Sequence, residues 1–166
     1  KDLLPLHLER KKGNVLMLSR RLLRIKALKA LYSHLQSEAD NMMASEKSMM
    51  TSVDKAYDLY FQMLSLPVEL MRYAESRQEI ARQKLMPTYE DLNPNTRFID
   101  NAFIAQLAEN KQLEEFRSNQ KRSWEDEGEF VKRLFERIEQ TKAYQEYMAK
   151  EALTYEDDRE LWRKLY

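Results

Sequence analysis

The residues able to do chemistry in this 166-residue chain are few, and their types exclude most reactions. There is no Cys, and the only histidines are His7 and His34. Zinc sites and Cys–His nucleophiles therefore lack their parts. Phosphate-cradling loops need more glycine than Gly13 and Gly128 supply. Carboxylates are abundant, but Glu125-Asp126-Glu127 and Glu156-Asp157-Asp158 each open a predicted helix. There they favour the helix dipole, ahead of a metal-binding or acid–base role. The expectation is a non-enzyme without cofactor or metal.

What remains is charge. Lys+Arg and Asp+Glu both number 28, yet residues 1 to 33 carry nine of the cations against only Asp2 and Glu9. That segment is +7 and the rest is −7, which points to a basic surface aimed at a polyanion and joined to an acidic body. Arg20, Arg21 and Arg24 fall in the first turn of the first strong helical pattern. At about 100° per residue with Arg20 at zero, Arg24 lies at about 40° and Arg21 at about 100°, beside Leu31, Leu35 and Leu28 at about 20°, 60° and 80°. One stripe is basic for a turn and apolar afterwards. The simplest geometry buries the helix from Leu28 onward and lets the basic turn project. Three cations there oppose the macrodipole at about 0.3–1 kcal/mol each.

Lys29, with Arg10, Lys11 and Lys12, extends the patch, and Tyr32 either stacks on a base or packs in the core. Lys26, at about 240°, points away. The candidate set is Arg20, Arg21, Arg24, Lys29 and Tyr32. Spacing alone leaves RNA, DNA and phospholipid open, and the bland alternative is a solvated helix end balanced by the acidic body. A membrane-binding arm over Leu3 to Lys12 fits loosely, with Pro5 interrupting it.

The elements that must position these residues are helical. Ala, Glu, Leu, Lys and Arg make up half the chain, whereas Val and Ile together number nine and glycine two. The fold class is all-α, a bundle of about five helices. Helix one runs from an N-cap at Ser19 to about Ser37 and, apolar over much of its girth, reads as the central helix. Helix two starts near Ser45 to Ser48 and carries a stripe of Val53, Tyr57, Tyr60, Leu64, Val68, Met71 and Ala74. Pro67 predicts a kink within it, or two helices end to end reaching about Leu85. A third runs from an Asn93 cap to about Asn119, with Phe98, Ile99, Phe103, Leu107 and Leu113 inward. A fourth opens at Ser123, with Trp124, Val131, Leu134, Phe135, Ile138 and Tyr147 as its apolar face. Thr154 with Asp157 opens a fifth, ending on Leu161, Trp162, Leu165 and Tyr166.

Residues 1–17 read as a basic leader arm and 18–166 as a helical domain. No apolar run approaches the roughly 18 residues of a membrane span, and no signal-peptide core is present. With the absence of Cys, that makes the cytoplasm the expected location. The chain opens on Lys1, so Met17 is a candidate internal start, and Tyr166 stands in an apparently unfinished helix.

The run from Arg20 to Ser33, with Arg24, Ala27, Leu31 and Tyr32 spaced Arg-x-x-Ala-x-x-x-Leu-Tyr, resembles the opening helix of the transcription antitermination factor NusB family. The stretch Asp91-Leu92-Asn93-Pro94-Asn95-Thr96-Arg97-Phe98 is similar to long members of the Bacteroidetes type. The resemblance implies a non-catalytic RNA-binding factor acting in transcription antitermination and termination. Such a factor binds boxA-like RNA with ribosomal protein NusE, within the transcription elongation complex. By position, Arg20, Arg21 and Arg24 match the basic motif; Lys29 is added from helical geometry. The family's second-half signature is absent, so the chain reads as the N-terminal portion of a longer protein. The alternative is a helical protein-interaction module.

Overall fold

The computed structural model describes residues 19–37, 41–119 and 124–166, which hold eight α-helices, one 3-10 turn and no strand. The leader arm, Met17, Arg10, Lys11, Lys12, His7, Ser123 and the side chain of Glu125 lie outside the described residues. The chain is all-α, and it divides into two compact units, one ending at Leu59 and the other beginning at Tyr60.

The first unit contains α1, Arg20–Gln36, and the first part of α2, Met42–Arg82. Ser19 caps α1 as its type predicts, its side chain accepting from the Leu22 amide at 3.2 Å. Lys26 bonds to Ser52 and His34 to Ser45, so the helices run antiparallel as a hairpin. Val53 is the buried residue among those described here, and α1 has none. The central position expected for helix one is thereby corrected. Among the described residues of its unit α1 has one partner helix, and one partner covers one face.

In the second unit α2 continues without a break through Pro67, and residues 65–70 are all buried. Proline has no N–H, so the carbonyl of Met63, four residues earlier, loses its helical donor. The Tyr166 hydroxyl donates to that carbonyl instead. One residue earlier, the Gln62 carbonyl accepts from the Trp124 indole at 2.8 Å and the Ser65 hydroxyl at 2.9 Å. The aromatic donors come from a 3-10 turn, Trp124–Glu127, and from the residue after the last helix. They let the two half-helices of the expectation exist as one.

The predicted third helix is two short ones, and a further one, α3, Tyr89–Leu92, precedes it in a stretch expected to be irregular; the two are α4, Ala102–Ala108, and α5, Lys111–Asn119. Asparagine interrupts it. The Asn101 side chain accepts from the Ile104 amide at 3.0 Å, and that of Asn110 from the Gln112 and Leu113 amides at 3.0 and 3.1 Å. Such side chains offer the backbone an alternative to continuing a helix. Asn93 is the C-cap of α3, whose N-cap is Thr88 in a capping box with Asp91. The fourth pattern likewise divides into α6, Gly128–Glu139, and α7, Lys142–Ala149, the latter capped by Thr141. The fifth is α8, Tyr155–Leu165, with the anticipated Thr154–Asp157 capping box.

The core gathers Leu66, Val68, Leu70 and Ala74 of α2 with Phe98, Ile104, Val131, Phe135, Ile138, Leu161 and Trp162. Phe98 stands at its centre, 5.4 Å from the Phe135 ring, 5.5 Å from Tyr144 and 5.9 Å from Trp162. A polar cluster penetrates it. Asp158, 5% exposed, accepts from the Ala102 amide at 2.8 Å and the Tyr147 hydroxyl at 2.7 Å. Asn101 donates to the same hydroxyl at 3.1 Å. An α8 carboxylate thus satisfies the first amide of α4, a favourable placement of negative charge at a helix N-terminus. Glu69, also buried, is held by Arg117 of α5 and by Arg72 at 3.2 Å.

Burial pushes the Tyr144 phenol up to about 12 and, with its bond to Asp158, raises Tyr147 as well. A phenol whose folded pKa exceeds its unfolded value of about 10 stabilises the fold fully below pH 10 and loses that contribution as pH rises through 12. Denaturation should therefore become easier between about pH 10 and 12, and Tyr144→Phe should reduce the slope of stability against pH there. An unchanged slope in that variant would exclude Tyr144 as a source.

Candidate polyanion-binding hairpin

The α1–α2 hairpin is built from a short seam. Leu22, Lys26, Ala27, Ala30 and His34 are the half-buried positions of α1, spanning about 200° to 340° on its helical wheel. The opposite half carries the sequence-predicted stripe, and all of it is exposed. Leu28 is 68% exposed, Leu31 52%, Tyr32 63% and Leu35 78%. The burial expected from Leu28 onward is corrected: alanines, a lysine and a histidine face α2, and the leucines face away. Tyr32 does not pack in a core; its hydroxyl accepts from Gln36 at 3.1 Å.

Arg20, Arg21, Arg24 and Lys29 are likewise exposed. The three arginines and the leucines lie on one continuous surface, as the spacing implied, and Lys29 sits at its margin, about 180° around the wheel. Lys26 does point away from the stripe. Its ammonium donates to the Ser52 carbonyl at 2.8 Å and to the Ser52 hydroxyl at 2.6 Å, pinning α1 to α2.

α2 adds residues that the sequence reading did not single out. Lys47, Thr51 and Lys55 follow one another at i, i+4 and i+8, and with Ala44, Ser48 and Ser52 they form one open face of α2, on which Asp54 and Asp58 also lie. Among the described residues, none of Arg20, Arg21, Arg24, Lys26, Lys29, Lys47 and Lys55 is ion-paired. In the second unit pairing is common, as in Arg77–Glu139 at 2.8 Å and Lys84–Asp91 at 2.8 Å.

The second unit has an exposed surface of its own. A turn pinned by the Lys84–Asp91 pair and the Thr88 capping box presents Leu85, Met86 and Tyr89 at 99%, 86% and 81% exposure. The described residues contain no cluster of side chains suited to a metal ion, and no helix long and apolar enough to cross a membrane.

Fold and site together define a helical protein whose hairpin cations form no ion pair among the described residues. No family model, curated protein or solved structure matches the chain.

Proposed function

We propose that this protein is a non-catalytic RNA-binding factor, acting in the cytoplasm in transcription antitermination as the resemblance to the NusB family implies, with boxA-like RNA as ligand. The observation that carries the reading is the exposed trio Arg20, Arg21 and Arg24 on the first turn of α1, which forms no ion pair among the described residues. Stability alone disfavours arginines at that end of a helix, and phosphate is the counter-charge that suits them.

The apolar remainder of the same helix face supports a protein partner beside the RNA. Leu28, Leu31, Tyr32 and Leu35 form a stripe of the kind that receives another helix, and ribosomal protein NusE is the partner the resemblance names. A helical interaction module without RNA is the second reading, and it rests on this stripe alone.

Salt separates the two. Changing Arg20, Arg21 and Arg24 together to Ala should lower the log–log salt slope on boxA-like single-stranded RNA by about 2. At about 0.1 M salt, affinity should fall about 100-fold, since each neutralised phosphate contributes about −0.7 to the slope. Fluorescence anisotropy across a salt series measures both. Equal affinities for wild type and triple variant at every salt concentration would remove the arginines from the site and leave the interaction-module reading.

A further inference from the structure

We infer that the exposed face of α1 is an interface between two copies of this chain, whose α1 helices pack antiparallel along Arg21, Arg24, Leu28, Leu31 and Leu35. The inference does not rest on the RNA-binding reading: a second copy, and an RNA with its protein partner, are alternative occupants of one face.

Spacing shows what the face is shaped for. The five residues follow one another at intervals of 3, 4, 3 and 4, the seam of a two-stranded coiled coil. They lie between about 20° and 100° on the helical wheel, whereas the half-buried positions that meet α2 lie between about 200° and 340°. α2 therefore does not cover them. Leu28, Leu31 and Leu35 are exposed, and Ile25 and Tyr32 widen the stripe on one side. A continuous apolar stripe of this kind marks a surface that another helix covers.

Charge selects the occupant. α1 holds no acidic residue, and its seam opens with arginines at the helix end where the dipole disfavours them. A second copy laid antiparallel answers this on both sides at once. With Leu28 set against the partner's Leu31, Arg24 falls beside the partner's Leu35, and Arg21 reaches the C-terminal end of that helix. There the carbonyl end of the dipole favours a cation. Glu46, exposed on α2 next to the Ser45 that bonds His34, adds a carboxylate at the same end of the hairpin. A parallel pair would instead bring the two sets of arginines together. The patch is thus complementary to itself, which is what the two-fold dimer, the commonest soluble oligomer, requires.

The test is analytical ultracentrifugation of the full chain from about 1 to 100 μM, with wild type beside Leu31→Glu. Wild type should pass from the 20.0 kDa monomer to twice that mass. Leu31→Glu removes two buried leucines from each pair and puts two carboxylates in their place, so it should raise Kd at least about 100-fold. Leu31 is 52% exposed within the chain, so the variant should keep the wild-type circular dichroism. Orientation is read by cross-linking, for which the absence of Cys leaves a clean background. The double variant Arg24→Cys with Leu35→Cys should form a disulfide between copies. Leu35→Cys alone should not, because antiparallel packing sets its two copies about 16 Å apart along the axis, beyond the roughly 6 Å between the Cα atoms of a disulfide. A wild-type chain that stays monomeric over the whole range, or a dimer that Leu31→Glu leaves intact, overturns the interface. A cross-link formed by Leu35→Cys alone overturns the antiparallel pairing.

Discussion

Replacing Asp158 by Ala should cost about 3 kcal/mol of stability, seen as a fall in Tm of about 10 °C. The side chain is buried and accepts two bonds, from the Ala102 amide and the Tyr147 hydroxyl. Truncation strands the Ala102 amide, which costs about 1–3 kcal/mol, and leaves the Tyr147 hydroxyl, as a donor, only its longer bond to the Arg97 carbonyl at 3.2 Å. It also removes the negative charge that faces the N-terminus of α4. Asp158→Asn preserves the shape and one acceptor, so its loss should be about half as large. Urea denaturation of the two variants measures both values. A loss below about 1 kcal/mol for the alanine variant would show that the network relaxes around the gap.

The second large effect lies at Pro67. Changing Trp124 and Tyr166 together to Phe keeps an aromatic ring at each position, a smaller one in place of the indole, and removes both donors to the α2 carbonyls of Gln62 and Met63. The expected loss is about 2–3 kcal/mol. Pro67→Ala restores the amide that Met63 lacks, so in that background Tyr166→Phe should become nearly neutral, whereas Trp124→Phe should retain most of its cost. The double-mutant cycle isolates this coupling, for which we expect about 1 kcal/mol between positions 67 and 166. Additive effects of Pro67→Ala and Tyr166→Phe would mean that the hydroxyl does not stand in for the missing amide.

Much of the fold was legible because local signals were strong. Ser19, Thr154 and Asp157 act as caps where their types and spacing placed them. The inward sets Phe98 and Leu113, and Val131, Phe135, Ile138 and Tyr147, are buried as their periodicity required. Errors came where two signals competed. Residues 93–119 have helical composition, but Asn101 and Asn110 turn their side chains onto the backbone and start new helices. Asn101 and Asp158 were missed as interior residues because polarity argued against burial; their partners lie far along the chain.

The site divides in the same way. The angular placement of Arg20, Arg21, Arg24 and Lys26 followed from helix geometry and agrees with the structure. The burial of Leu28, Leu31 and Leu35 was inferred from their apolarity, yet which face of a helix is covered depends on the neighbour it meets. In this hairpin the neighbour touches Ala27, Ala30 and His34. Lys47 and Lys55 carry no distinguishing signal, because a solvated helix face also spaces its lysines eight apart, and Asp54 and Asp58 share their face.

The Met63 carbonyl, which Pro67 leaves without its helical donor, also sets an order of events during synthesis. When residue 82 leaves the ribosome the whole of α2 has been made, but the groups that answer Gln62 and Met63 have not. Trp124 follows 62 residues after Gln62, and Tyr166 follows 103 residues after Met63. Until then residues 65–70 wait for the rest of their core. At translation rates of about 5–20 residues per second this interval lasts several seconds, long on the timescale of helix formation. The Met63 carbonyl of nascent α2 therefore stays with water until Tyr166 has been made.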